Sequence, residues 1–293
     1  KEVAEDWFNN QKETWSSKHI SNVRASLDEL YIALANKRIN QIQAPEILQI
    51  IKKIEARGSL EIAKRTLSRC GMVMKYAIAH GYRYDNPAGD LVYALKNKRV
   101  KNLASLSASE MPEFLRRIKA YPTLDSRIGL QLLTLLFTRP SELREAKWEE
   151  FDLENALWTI PDFRMKKRRE HTIPLSKQAV QLLQELKNIH SESDYLFPSR
   201  SNKNKPKSDT VFIMALRRLG YEGRQTPHGF RHIASTILNN KGFDERHIES
   251  ALAHVKDGVA GVYNKAQYLE DRARLMQWYA DYLEELADMK VIQ

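Results

Sequence analysis

The chain is 293 residues long, 42% hydrophobic and 29% charged, with a formal net charge of +10. That apolar content suffices for one large core or two ordinary ones, which excludes wholesale disorder, and the basic balance, with a pI near 9.5, suits a polyanionic partner. A single cysteine, Cys70, excludes an internal disulfide, and the longest apolar run, Ile128 to Phe137, falls far short of the roughly 20 residues a membrane span needs.

In chain order, the first predicted elements are helices near Lys18 to Ala35, Glu46 to Arg57 and Leu60 to His80, which carry apolar residues at helical spacing. Gly58 and Gly81 stand where helix C-caps usually fall. Cys70 shares an apolar stripe with Leu67, Met74 and Ala77, so it reads as a core thiol rather than a reactive one. These helices form a self-contained unit over residues 1–98, followed by a basic linker at 99–105 and a second unit at 106–293. The second unit starts at a capping-box pattern, Ser107 with Glu110, and continues through helices at Arg127 to Phe137 and Ser141 to Trp148. Leu157-Trp158-Thr159-Ile160 and His171-Thr172-Ile173-Pro174 read as two strands of a hairpin, with Tyr195-Leu196-Phe197 as a third short strand. Helices resume after Ser208 and end with Leu269 to Met289. The fold class is therefore mainly α with a small antiparallel β-sheet (α+β). No signal-peptide pattern opens the chain, so a cytoplasmic protein is expected; a start at Lys1 rather than Met is expected of a fragment.

The residues that carry chemistry lie between His228 and Tyr263, a stretch that holds four of the eight histidines and includes His228-Gly229-Phe230-Arg231-His232 and Leu252-Ala253-His254. His228 and Arg231 are three apart on a predicted helix and project from one face. Thr138-Arg139-Pro140-Ser141-Glu142 puts a second arginine at a helix entrance, where backbone N–H groups also favour an anion. Lys166 sits in the hairpin turn. Tyr263 follows His254 by nine residues, in a segment with Gly258 and Gly261. Two guanidinium groups, two imidazoles, an ammonium and a phenol suit chemistry on a phosphodiester, which needs fixed cations around its oxygens and an aimed nucleophile. A tyrosine with a pKa near 10 is only about a thousandth ionised at neutral pH, so it needs a base or a cationic pocket.

This ordered set resembles the tyrosine recombinases, the phage integrases, and within them the branch carried by prophages and genomic islands. The resemblance rests on the arginine in its Thr-Arg-Pro-Ser-Glu box, the hairpin lysine, His-x-x-Arg, Leu-Ala-His and the Tyr-Asn-Lys tyrosine, across roughly residues 105 to 293. It implies that residues 1–98 are a helical core-binding domain on DNA and 106–293 a catalytic domain, without an arm-binding module ahead of them. It further implies that Arg139 and Arg231 grip a phosphate, that His228 and His254 complete its pocket, that Lys166 protonates the leaving 5′ oxygen and that Tyr263 forms a 3′-phosphotyrosine. Neither metal nor ATP is required, since the covalent link keeps the ester's energy. Implied partners are double-stranded attachment-site DNA, three further copies in a tetramer, and DNA-bending or directionality factors, at the bacterial nucleoid. The last helix would dock on a neighbouring copy, the other reading being packing within its own domain.

Phosphate contacts are expected from Lys98, Arg99 and Lys101 in the linker, Arg164, Lys167, Arg168 and Arg169 in the hairpin, and Lys203, Lys205, Lys207, Arg217 and Arg218 further on. Each assignment has a plainer competitor. Tyr263 is one of twelve tyrosines, and only its offset from His254 singles it out, with Tyr268 the nearest decoy. Arg139 pairing with Glu142 would be a simple helix start, and Lys167 competes with Lys166. His171, His190, His232 and His247 read as structural or surface groups. A zinc hydrolase built on His228, His232 and His254 lacks the glutamate such sites place beside the first histidine. The remaining alternatives are a type IB topoisomerase-like enzyme and a catalytically inactive DNA-binding protein of the same fold.

Overall fold

The protein is described from a computed structural model covering residues 1–96, 104–190, 192–254 and 268–288. The chain divides into two compact units, Lys1–Lys101 and Asn102–Gln293.

The first unit consists, among the described residues, of helices α1 (Glu2–Gln11), α2 (Ser17–Leu34), α3 (Ala44–Ala56) and α4 (Leu60–Ala79) with short 3-10 turns. Ser16 starts α2 by accepting the His19 N–H at 3.3 Å, and Glu46 starts α3 by accepting the Gln43 N–H at 3.0 Å. Ile47, Ile50, Ile51 and Ile54 recur at helical spacing and are all buried. That stripe faces α4, whose Ala63, Leu67, Cys70, Val73, Met74 and Ala77 are buried in turn. Desolvation pushes the Cys70 thiol up to about 12, which makes it a packed, inert group.

The second unit is built around α6 (Leu124–Leu136), where Ile128, Leu130, Leu132, Leu133, Leu135 and Leu136 are all buried. A helix apolar on every side belongs in the middle, and α5 (Met111–Lys119), α8 (Lys177–Ile189), α9 (Val211–Arg218), α10 (Gly229–Asn240) and α12 (Leu269–Asp288) pack around it. Arg139, His254 and His228 lie just outside the ends of the short α7 (Pro140–Arg144), of α11 (Glu245–Ala251) and of α10, which itself holds Arg231.

The sheet is antiparallel, ordered β1 (Phe151–Asp152), β2 (Leu157–Ile160), β3 (His171–Pro174), with Trp158 opposite both Phe151 and Ile173. The expected hairpin is therefore present, but its third strand is Phe151–Asp152 and not Tyr195 to Phe197. Tyr195 forms one isolated bridge to Lys147; the prolines at 198 and 206 lack the N–H a ladder needs. The helix expected from Ser141 to Trp148 ends at Arg144.

The last helix spends its apolar face on its own unit. Leu275, Met276, Tyr279, Ala280, Leu283 and Leu286 are buried against α5, α6, α11 and β3. Its acidic residues Asp281 and Glu284 accept hydrogen bonds from Gln178 at 2.8 and 2.9 Å. The buried stripe of α12 is thus packed within its own unit, the second of the two readings given for this helix. Among the described residues, no helix is long and apolar enough to cross a membrane.

Candidate active site

Two unusual turns deliver the site. α6 ends at Phe137 in the left-handed region, with φ of 37°, a conformation that costs a non-glycine residue roughly 1–2 kcal/mol. The buried Phe137 ring packs edge-on to Tyr279 with centroids 5.5 Å apart, holding the turn and sending the next residues, Thr138 and Arg139, to the start of α7. There the Arg139 backbone N–H donates to one oxygen of Glu142 at 2.9 Å and its guanidinium donates to the other at 2.7 Å. Glu142 is 5% exposed. The pairing anticipated as the plainer reading of Arg139 therefore exists, and it orients the guanidinium.

Arg231, in the first turn of α10, is buried. It donates to the Phe137 carbonyl at 2.9 Å and the Leu252 carbonyl at 2.5 Å, so one side chain joins the strained turn before Arg139 to the turn before His254. Burial, and secondly Arg139, lower its pKa to about 10. A cation held this way, with carbonyls rather than a carboxylate as direct partners, has capacity left for an anion.

The second turn follows α11. Ala253 is left-handed, with φ of 52°, and folds His254 back so that its N–H reaches the Glu249 carbonyl at 2.9 Å. Arg231 lies 3.2 Å from His254 Nε2, and the Glu249 carboxylate lies 3.1 Å from Nδ1. An arginine only donates, so Nε2 accepts and the proton sits on Nδ1, donated to Glu249. Glu249 escaped the sequence reading: five residues is not a helix-face spacing, and only the left-handed turn brings the two groups together.

His228 is the residue before α10 rather than within it, and its side chain is exposed. Desolvation first, then Arg231 and Arg139, lower its pKa, with His254 also within electrostatic reach. Its imidazole is thereby kept neutral at neutral pH and able to take a proton. Four of the expected residues, Arg139, His228, Arg231 and His254, are brought together. Lys166 stands exposed in the β2–β3 connection after the buried Met165 and makes no hydrogen bond to those four. Tyr263 lies outside the described residues, as do Lys98, Arg99 and Lys101.

Two further groups lie beside the site: His171, read from sequence as structural or surface, and Arg272, which the sequence reading passed over. His171, the first residue of β3, lies near the Ala251 carbonyl; burial first, then Arg272, push its imidazole down to about 3. Arg272 of α12 is 4% exposed and donates to the Thr172 carbonyl at 2.9 Å. Among the described residues it has no carboxylate partner. Tyr268 packs its ring on His247, with centroids 4.8 Å apart, as expected of a structural decoy.

The basic residues divide. Arg164 and Lys207 depart from the expected phosphate role: Arg164 is paired with Glu150 and donates to the Glu142 carbonyl at 2.5 Å, while Lys207 is paired with Asp125. Both side chains are only 12% exposed, so their charges are spent within the fold. Lys167, Arg168, Arg169, Lys205 and Arg218 are exposed; Lys203 and Arg217 are exposed beside Glu192 and Glu222. The zinc reading fails on the donors themselves. His254 uses both ring nitrogens, His232 Nδ1 lies 3.1 Å from the Ser105 hydroxyl, and the two arginines repel a cation from His228. Among the described residues no group of three or more histidine, cysteine or acidic side chains is arranged to hold a metal ion.

Residues 104–270 match the Phage integrase family and residues 1–94 the Phage integrase central domain. The integrase of Shigella phage Sf6 is 35% identical over 287 residues, 97% of this chain and 74% of that protein. Prophage integrase IntZ of Escherichia coli (strain K12) is 38% identical over 288 residues, 98% of this chain and 71% of that protein. Among solved structures, a lambda integrase tetramer bound to a Holliday junction superposes with a TM-score of 0.68 at 18% identity, covering 88% of this chain and 78% of that one. The Tn1549 transposon integrase in complex with a circular intermediate DNA gives 0.66 at 14% identity, covering 92% and 99%. At these identities the structural likeness is one of fold.

Proposed function

The chain belongs to the phage integrase family, the tyrosine recombinases, and on that premise we propose that Arg139, Arg231, His228 and His254 cradle one DNA phosphate while Tyr263 attacks its phosphorus. The protein is a site-specific recombinase of the prophage integrase branch, acting on double-stranded DNA. Its relatives being integrases, neither a topoisomerase-like enzyme nor an inactive DNA-binding protein is favoured. The observation that carries the assignment of the site is the convergence of four cationic or imidazole groups on one place, with Arg231 bonded to both strained turns.

In the proposed reaction His228, kept neutral by partial desolvation and by the neighbouring Arg231 and Arg139, takes the phenol proton of Tyr263. The phenolate oxygen bonds to phosphorus, the bond to the 5′ oxygen breaks, and Lys166 protonates that oxygen. The two guanidinium groups hold the charge that builds on the non-bridging oxygens. The His254 Nε2 accepts from Arg231 in the free protein; around a phosphate, turning Arg231 towards the anion frees that nitrogen. Religation reverses the steps with another strand's 5′ hydroxyl, so no external energy source enters.

The exposed Lys167, Arg168, Arg169, Lys203, Lys205, Arg217 and Arg218, with Lys98, Arg99 and Lys101, are assigned to DNA phosphates. We assign assembly as a homotetramer on paired attachment sites, joined by DNA-bending or directionality factors, at the bacterial nucleoid in the cytoplasm. The test is covalent capture. Incubated with a nicked suicide duplex carrying its attachment site, the protein is expected to yield a DNA-linked Tyr263 peptide, and Tyr263→Phe to yield none. An adduct persisting in that variant overturns the nucleophile.

A further inference from the structure

The residues just after the stretch joining the two units are stitched to the phosphate-binding helix on both sides of its His-x-x-Arg pair. Ahead of His228, the Thr226 N–H and hydroxyl both donate to the Ala104 carbonyl, at 3.1 and 3.3 Å. The Leu106 N–H donates to the side-chain oxygen of the buried Gln225 at 3.0 Å. Just after Arg231, the Ser105 hydroxyl lies 3.1 Å from His232 Nδ1. Between them is Gly229, and a Cβ built there falls 2.8 Å from the Ala104 carbonyl oxygen and 3.1 Å from the Ser105 Cβ. Any larger residue pushes the strap away. Gly229 also donates its N–H to the Thr226 hydroxyl at 3.0 Å, so the strap and the first turn of α10 share one bonding group.

Packing alone does not call for this arrangement. Leu106 already anchors the strap in the core, and His232 is exposed, so its bond to Ser105 adds no burial. What the bonds do is bracket the two phosphate ligands: Thr226 stands two residues before His228, and His232 one residue after Arg231. A helix start held at both margins has one attitude; released at either, it frays, because the first-turn N–H groups lack helical partners.

We propose, resting on the phosphate-pocket reading above, that Ala104–Leu106 is a positioning strap for His228 and Arg231, with His232 and Ser105 as its outer fastening. Strand cleavage then depends on the strap being seated, while DNA affinity does not.

The experiment uses the full chain and a nicked duplex selected from a random-sequence library by covalent capture with the wild-type protein. Single-turnover adduct formation is followed against protein concentration for wild type, His232→Leu, His232→Asn, Ser105→Ala and the double variant His232→Leu/Ser105→Ala. His232→Leu and Ser105→Ala are each expected to lower the plateau rate roughly 3- to 10-fold, the worth of one net hydrogen bond, with the half-saturating concentration unchanged. The double variant is expected to be no slower than the slower single one. His232→Asn, whose amide can occupy the place of Nδ1, is expected to recover most of the loss. Ser105→Ala, on the surface of the strap, keeps the test independent of any folding defect at α10. Plateau rates equal to wild type overturn the proposal. So does a raised half-saturating concentration with an unchanged plateau, which would make His232 a DNA contact. If no duplex is captured by the wild-type protein at all, it is the phosphate-pocket reading that fails.

Discussion

The two units handle awkward backbone and buried charge in opposite ways. In the first, left-handed backbone among the described residues falls at glycines, Gly58 and Gly81, and the buried Arg83 is closed off by Asp85 and the Ile39 carbonyl. In the second, four described non-glycine residues are left-handed: Phe137, Ala156, Arg168 and Ala253. Phe137 and Ala253 flank Arg139 and His254, and Arg168 lies two residues after Lys166. There too the buried Arg231 and Arg272 find backbone carbonyls rather than carboxylates. Strain and uncompensated charge persist where function over-determines them; among the described residues of the first unit, left-handed backbone is confined to glycines.

The largest expected effect comes from exchanging one buried arginine of each unit for methionine. Arg231→Met is expected to slow cleavage by on the order of 10²- to 10³-fold, the cost of losing one donor to a developing oxyanion. Its stability change should be small, because the orphaned carbonyls of Phe137 and Leu252 are offset by removal of a desolvated cation facing Arg139. Arg83→Met should do the reverse, losing about 2 kcal/mol through its stranded partners with cleavage at saturating DNA unchanged. Urea unfolding beside single-turnover cleavage checks both. A stability loss in Arg231→Met as large as that in Arg83→Met would erase the contrast.

A smaller effect concerns His171. Its imidazole sits at about 3 in the folded chain and returns to about 6.5 on unfolding. Between those values the unfolded chain holds the extra proton, so this contribution to stability is complete above about pH 6.5 and is lost as pH falls towards 3. Subtracting His171→Leu from wild type isolates it, and the difference should shrink by about 2 kcal/mol between pH 6.5 and 5. A difference that stays flat across that range would mean that the ring is hydrated and free to charge.

Much of the fold was legible because it depends on spacing. The isoleucines of α3, the apolar run of α6 and the Ser107–Glu110 box each encode an element locally, and the order Arg139, Lys166, His228, Arg231, His254 survives without any knowledge of packing. What was not legible depends on turns. β1 is two residues long, too short to show alternation, and Tyr195 to Phe197 looked like a strand until the flanking prolines decided otherwise. Arg164 and Lys207 looked like surface charge because their partners, Glu150 and Asp125, are 14 and 82 residues away. Glu249 reaches His254 only through a conformation that alanine rarely adopts, which no periodicity announces.

That conformation gives the smallest effect and a mirror-image test. At Gly58, φ of 78° with nothing within 4 Å of a built Cβ means that Gly58→Ala meets no clash, yet it should cost about 1 kcal/mol from backbone strain alone. At Ala253 the exchange runs the other way. Ala253→Gly releases roughly 1–2 kcal/mol of left-handed strain against roughly 0.5–1 kcal/mol of added unfolded-chain entropy, a net gain of a few tenths to about 1 kcal/mol. If the strain serves to aim His254, that gain should come with slower cleavage, since a glycine holds the turn less firmly. A variant both more stable and equally fast would mean that the left-handed alanine is tolerated rather than used, and the contrast between the two units would then rest on their buried charges alone.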